Sequence, residues 1–175
     1  RGGGTFVAAP PPTVELASVR GVLAQLRERR VESEVIEAGI VTDVPRDVRH
    51  ALAIGKGEAA MRLYRVRRVA DEPVMLEDSG LPGALVPGIE SEDLTGSVYR
   101  LLRDRYESEP VGKREVLQPG IASPEEARLL GPGPRHPVLR ITRTAYRADG
   151  RAVEYSQDAY RSDLLRIQVT TGIVG

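Results

Sequence analysis

Arg65 and Arg67 stand two residues apart in the run Met61-Arg62-Leu63-Tyr64-Arg65-Val66-Arg67. Side chains alternate between faces along a strand, so Met61, Leu63, Arg65 and Arg67 share one face that begins apolar and ends in two guanidiniums. Burying that face places both cations at the rim or floor of a cavity, where arginine's rigid fork suits carboxylate or phosphate oxygens. The plain alternative is a pair of cross-strand salt bridges. Ser97 opens a helical stretch after Thr95-Gly96. A hydroxyl beside free backbone N–H groups makes an anion site there, favoured by the helix dipole, or simply caps the helix. Glu154 and Tyr160 lie six residues apart and therefore on one face of a long strand, while Glu77 sits in the return strand of another hairpin. Carboxylates near arginines can accept hydrogen bonds from ligand hydroxyls or an amide N–H, or can close a structural Arg–Glu network. Paired carboxylates could also be the acid and base of a glycosidase. With aromatics at only 4%, the sugar-stacking surface such an enzyme wants is missing.

The elements that carry these residues look like one hairpin written twice. Leu63 to Glu77 superposes on Ile141 to Tyr155 at a constant offset of 78 residues, which lays Arg65 on Arg143, Ala70 on Ala148 and Asp71 on Asp149. This strict overlay pairs Glu77 with Tyr155 rather than Glu154. Each copy follows a short helical stretch and has an acidic residue in its return strand. Two such hairpins can pair into one antiparallel sheet, with a pocket between them and the charges pointing into it. The first hairpin spans roughly Ala59 to Leu81 and turns at Ala70-Asp71-Glu72-Pro73. The second spans about Val138 to Tyr160, with Asp149-Gly150 as its turn.

Around the hairpins, Gly2-Gly3-Gly4 and Pro10-Pro11-Pro12 mark a boundary and a stiff linker. A helix is expected from about Thr13, with Leu16, Val19, Leu23 and Leu26 on one face. Val35 to Val41 reads as a strand, and Pro45 opens a short helix that reaches Leu52 and ends at Gly55. The helix after Ser97 shows an apolar stripe of Val98, Leu101, Leu102 and Tyr106. A strand over about Glu115 to Ile121 precedes Ser123-Pro124-Glu125-Glu126, a capping box with proline in the first turn. Strands and helices mix without strict alternation, so the fold class is α+β on an antiparallel sheet.

Composition removes several functions. The 175 residues suffice for one domain with a real core. With 25 basic and 25 acidic side chains the net charge is zero, whereas a self-sufficient DNA-binding domain carries a basic excess. There is no cysteine, hence no disulfide, thiolate metal site or cysteine nucleophile. His50 and His136 are far apart and lack metal-ligand spacing. No metal, no cofactor and no catalytic base–nucleophile set is expected, and without a long apolar run or signal pattern the cytoplasm is the expected compartment. All but Lys56 and Lys113 of the basic residues are arginine, so a lone arginine says little and pairing must carry the argument.

Several motifs in order resemble one family. Tyr64-Arg65-Val66-Arg67 through Glu77, Leu94-Thr95-Gly96-Ser97-Val98-Tyr99, Arg143-Thr144-Ala145-Tyr146 through Asp149-Gly150-Arg151-Ala152-Val153-Glu154-Tyr155, and Tyr160-Arg161-Ser162-Asp163 are similar to the UTRA domain. This is the effector-binding domain of HutC-type regulators of the GntR family, and the resemblance covers about residues 13 to 170. Gly4-Thr5-Phe6-Val7 looks like the last wing strand of the winged helix-turn-helix domain that precedes UTRA. Residues 1–12 are then wing remnant and linker, and 13–175 the effector-binding and dimerisation domain. The resemblance implies a chorismate-lyase-like fold, a homodimer, and operator DNA contacted through a domain absent from this chain. It also implies a small-molecule effector that controls a regulator, most often a repressor. In members that sense phosphorylated sugars, the matching positions are Arg65, Arg67 and Ser97 for the phosphate and Glu77, Glu154 and Tyr160 for the sugar. Other members answer to urocanate-like carboxylic acids. An enzyme of chorismate-lyase-like fold and a purely structural dimerisation module are the remaining readings.

Overall fold

The structure, a computed structural model, describes residues 11, 13–15, 30–131 and 133–170. Strand β2 (Val31–Val41), helix α1 (Arg46–Leu52) and strands β3 (Ala60–Val69) and β4 (Glu72–Pro82) form one β-α-β-β unit. Strand β5 (Gly112–Ile121), helix α3 (Pro124–Leu130) and strands β6 (Pro137–Tyr146) and β7 (Ala152–Arg161) form a second. The duplication therefore includes a leading strand and helix as well as the hairpin. The two units join through their return strands, giving a six-stranded sheet of order β2-β3-β4-β7-β6-β5 in which every pairing is antiparallel. This is the α+β architecture expected from the hairpins.

Register refines the overlay. Arg65 faces Glu77 across the first hairpin, and Arg143 faces Ser156 across the second. The structural counterpart of Glu77 is thus Ser156, one residue beyond the strict overlay, because the two turns differ in length. The first is the two-residue turn Ala70-Asp71, both with positive φ, matching the twist of its strands. The second runs from Arg147 to Arg151, with Gly150 in the left-handed region. Pro73 sits within β4, opposite a bulge between Arg67 and Arg68, where a missing N–H is tolerated.

Two apolar clusters cover the ends of the inner sheet face. Met61, Leu63, Leu81 and Ala145 pack with Val98 and Leu102 of helix α2 (Val98–Tyr106) at one end. At the other, Val69, Met75, Ile141 and Tyr160 pack with Val14 and Leu165, next to the small strands β1 (Thr13–Glu15) and β8 (Arg166–Gln168). The outer face carries α3, whose Ala127 and Leu130 meet Val66, Leu76 and Ala159. It also carries α1, where Val48 lies so near Gly80 that a side chain there would collide at 3.0 Å.

Three expectations change. The helix expected from Thr13 begins instead as strand β1, paired in parallel with β8. Thr13 and Val14 are β-branched, and burial of Val14 against a segment some 150 residues away is a non-local term that outweighs a helical pattern. Leu16, Val19, Leu23 and Leu26 lie outside the described residues, as do the wing and most of the linker. Helix α1 ends at Ala53, which takes the left-handed conformation itself, rather than at Gly55. The strand around Val35 begins earlier, at Val31. The capping box at Ser123 and Glu126 and the Ser97 cap of α2 form as expected.

Candidate ligand-binding site

Between the two apolar clusters the inner face carries a polar belt that crosses the whole sheet. The parity of the register sets its members. Ser33 of β2 stands beside Arg67, Arg65 beside Glu77, Glu77 beside Asp158, Ser79 beside Ser156, Arg143 beside Ser156, and Glu115 of β5 beside Arg143. Arg65, Glu77, Ser79, Arg143, Glu154, Ser156 and Asp158 are all buried.

Arg65 is fully committed within the fold. Its Nε and Nη2 donate to Glu77 at 3.1 and 2.9 Å, and its Nη1 donates to the carbonyls of Leu94 and Gly96 at 2.6 and 2.9 Å. It thereby pins the loop that leads into α2. Arg67 is looser. Its Nη1 reaches Glu77 at 3.3 Å, and its buried Nε has no hydrogen-bond partner; neither has the buried Oγ of neighbouring Ser33. Burial pushes the Glu77 carboxyl up, but Arg65, Arg67 and Arg143 outweigh it and hold the group at about 2. Ser79 donates to both Glu77 and Glu154 at 3.4 and 3.2 Å, linking the hairpins.

Glu154 accepts from Tyr99 at 2.7 Å and from Arg143 at 3.3 Å. Burial, together with the Glu154 charge, raises the Tyr99 hydroxyl well above its ordinary value. Arg143 also donates to Ser156 and Asp158 at 3.0 and 3.1 Å and lies 3.7 Å from Glu115. Burial disfavours the Arg143 charge, yet Asp158, Tyr99 and Glu154 together raise its pKa well above the usual value. Asp158 is pushed up to about 8 by burial, which Arg143 opposes and the flanking Glu77 and Glu154 reinforce. Tyr160 is buried at the apolar edge of the belt, its hydroxyl raised by burial and by Asp158. Ser97 is exposed and accepts from the Arg100 N–H at 3.3 Å as the α2 cap.

Of the six sequence candidates, Arg65, Arg67, Glu77, Glu154 and Tyr160 therefore share the inner face. Ser97 adjoins it through Gly96, whose carbonyl Arg65 holds. Sequence reasoning missed Ser33, Tyr99, Lys113, Glu115, Ser156 and Asp158 as members of the belt, and matched Arg143 to Arg65 without naming it as a site residue. Residues 156 and 158 were accessible by the same parity that joined Glu154 to Tyr160. Lys113 and Glu115 required knowing that β5 pairs with β6. Among the described residues no group of three or more His, Asp or Glu is arranged to hold a metal ion, and no helix is long and apolar enough to cross a membrane. Another groove, of about 780 Å³, lies on the outer face beside Arg62, Tyr64, Asp78, Glu126, Arg140 and Gln157, and its lining reaches Ile141 and Asp158. Its arginines are neutralised locally, Arg62 by Asp78 at 3.0 Å and Arg140 by Glu126 at 2.6 Å, and none of the six candidates lines it.

A six-stranded antiparallel sheet built from two β-α-β-β units, with a charged belt buried on one face, defines a small α+β binding domain. The chain belongs to the UTRA domain family, which it matches over residues 26–166. It is 30% identical over 166 residues to the HTH-type transcriptional repressor NagR of Bacillus subtilis, covering 93% of this chain and 68% of that protein. It is 26% identical over 167 residues to the mannosyl-D-glycerate transport/metabolism system repressor MngR of Escherichia coli, with the same coverage of each. The crystal structure of PhnF from Mycobacterium smegmatis superposes with a TM-score of 0.86 at 23% identity, over 98% of this chain and 76% of that one, and so shares the fold. The chain is thus an effector-binding domain of the kind found in GntR-family transcriptional repressors.

Proposed function

We propose that the inner-face belt binds an anionic metabolite, a phosphorylated sugar or amino sugar, and that this binding governs a HutC-type repressor. The observation that carries the reading is the buried Arg67 Nε left without a partner beside the equally unpartnered Ser33 Oγ. A buried guanidinium with unused donor capacity is costly to keep unless something uses it, and an incoming anion does so with charge-assisted hydrogen bonds. Arg67 and Ser97 are the direct anion ligands in this reading. Arg65 shapes the subsite through the Leu94 and Gly96 carbonyls, and Glu77, Glu154 and Tyr160 meet the remainder of the ligand. The named function of MngR, control of a system for a sugar bearing a carboxylate, supports an anionic, hydroxylated effector class.

In the same reading the domain is a homodimer in the cytoplasm and does not turn over its ligand. Operator DNA is contacted by a helix-turn-helix domain outside this chain, as the names of the relatives suggest. A thermal-shift screen of hexose phosphates, amino-sugar phosphates and urocanate-like acids tests the reading, with the incubated ligand recovered for analysis. A true effector at about 100 times its dissociation constant stabilises the fold by roughly 2.7 kcal/mol and is returned unchanged. Stabilisation by urocanate-like acids alone, or consumption of the ligand, overturns it.

A further inference from the structure

The belt is not uniform along its length. Its β3–β4 part sets two guanidiniums, Arg65 and Arg67, against one carboxylate, Glu77. Its β5–β7 part sets Arg143 and Lys113 against Glu115, Glu154 and Asp158. In that second part the side chain of Lys113 is 8% exposed, that of Glu115 5% and that of Asp158 0%. Lys113 Nζ lies 2.9 Å from Glu115 Oε2, but it completes no hydrogen bond of good geometry. Glu115 Oε1 and Asp158 Oδ1 are likewise buried without a hydrogen-bond partner among the described residues. The guanidinium of Arg143 touches both carboxylates, at 3.7 and 3.1 Å, which keeps the unused atoms in one neighbourhood. One side therefore offers an unused ammonium donor and two unused carboxyl oxygens, all more than nine-tenths buried.

We infer that Lys113, Glu115 and Asp158 form a second subsite of the belt, built for the hydroxyl-bearing end of the effector. The inference rests on the reading that the inner face binds a small anionic molecule. A hydroxyl both accepts and donates, so adjacent hydroxyls of a polyol can accept from Lys113 Nζ, donate to Glu115 Oε1, and pair with the Asp158 carboxyl whether or not it holds its proton. An ammonium meets the like charge of Lys113, and a second anion meets Glu115. A flat carboxylic acid without hydroxyls leaves all three atoms unused. Strands stand about 4.8 Å apart, so Arg67 on β3 and Asp158 on β7 are separated by roughly two strand spacings. A phosphorylated sugar lying across the sheet with its phosphate at β3 directs its ring hydroxyls toward Asp158 on β7; Lys113 and Glu115 stand on β5, two further strand spacings away, and Glu115 is linked to Asp158 through Arg143.

Calorimetric titration of the protein with inorganic phosphate and with glucose 6-phosphate and mannose 6-phosphate separates the two ends. For the wild type, the hexose phosphates are expected to bind at least tenfold more tightly than inorganic phosphate. Glu115→Gln, Lys113→Met and Asp158→Asn should each lower hexose phosphate affinity tenfold or more while leaving phosphate affinity unchanged. Arg67→Ala should weaken both. Circular dichroism and thermal melts identify any variant that fails to fold, and Lys113→Met, nearest the sheet edge, provides the test if Asp158→Asn does. Hexose phosphate affinity unchanged in the folded variants overturns the second subsite alone, as does an equal loss for both probes. Failure of all three probes to bind the wild type overturns the effector reading and the subsite together.

Discussion

Tyr99 donates its hydroxyl to Glu154 at 2.7 Å, while Arg65 donates to the carbonyls of Leu94 and Gly96 just upstream in sequence. The start of α2 is thus fastened to both hairpins, to the first by Arg65 and to the second by Tyr99. In Tyr99→Phe, Glu154 keeps Ser79 and Arg143 but loses its shortest hydrogen bond. The expected cost is on the order of 1.5–3 kcal/mol, the range for a bond to a charged group. Urea denaturation measures it, and a double-mutant cycle with Glu154→Gln isolates the pair. Strict additivity in that cycle would mean that the two side chains are not energetically coupled.

The two arginines of the first hairpin should separate on mutation. Arg65→Met strips Glu77 of two close donors and takes the guanidinium away from the buried Leu94 carbonyl and the part-buried Gly96 carbonyl. Breaking a buried pair in this way costs about 3–5 kcal/mol, a large share of the roughly 5–15 kcal/mol that holds a domain together. Arg67→Ala removes only the 3.3 Å contact to Glu77 and should leave the thermal midpoint nearly unchanged. Its effect is expected in binding instead, a loss of tenfold or more for the anionic effector, only partly restored by Arg67→Lys because an ammonium lacks the planar fork. Wild-type affinity in a folded Arg67→Ala protein would remove the anion subsite.

Glu77 and Asp158 are cross-strand neighbours, and their opposite pKa shifts give opposite pH slopes. Glu77 is held at about 2, below its ordinary range, so its contribution is present above about pH 4.5 and is lost as pH falls toward 2. Asp158 is raised to about 8, so the folded state holds a proton that the unfolded chain releases near pH 4. Its contribution is full below pH 4 and is lost as pH rises toward 8, with a slope of up to about 1.4 kcal/mol per pH unit. Arg143 of β6, Glu154 and Tyr160 of β7, Tyr99 of α2 and the β3 arginines all bear on this balance. Urea denaturation between pH 4.5 and 8 should show wild-type stability falling with pH, and Asp158→Asn should flatten the fall. An identical slope in the variant would mean that Asp158 is ionised throughout.

What could be read from the chain divides by how local the cause is. The hairpins and the shared face of Arg65 and Arg67 follow from strand periodicity and turn residues, which are local. That the two copies can pair into one antiparallel sheet followed from their likeness, but that they join through the return strands β4 and β7 did not. Strand β1 was not legible, because its extended form depends on pairing with the distant β8. Asp158 was legible in principle, sharing parity with Glu154 and Tyr160. Its significance depends on Glu77 lying directly opposite, in a register one residue away from the strict overlay of the two hairpins. Lys113 and Glu115 had no local mark at all. A two-residue spacing of a cation and an acid on an edge strand is ordinary, and Glu115 meets Arg143 only through the register of β5 on β6.

Ser97 is the candidate whose role the geometry divides most sharply, since its hydroxyl already caps α2 by accepting from Arg100. Ser97→Ala should cost about 1 kcal/mol as a lost N-cap, whether or not a ligand touches the residue. Ser97→Asp distinguishes the roles, because aspartate is as good a cap and suits the positive end of the helix. If Ser97 also contacts the anion, the added carboxylate repels it. Calorimetry should then show hexose phosphate binding reduced tenfold or more in a variant whose melting temperature matches the wild type. If Ser97 is only a cap, the aspartate variant should bind and melt like the wild type, and the anion subsite then consists of Arg67 with Ser33 and excludes the helix start.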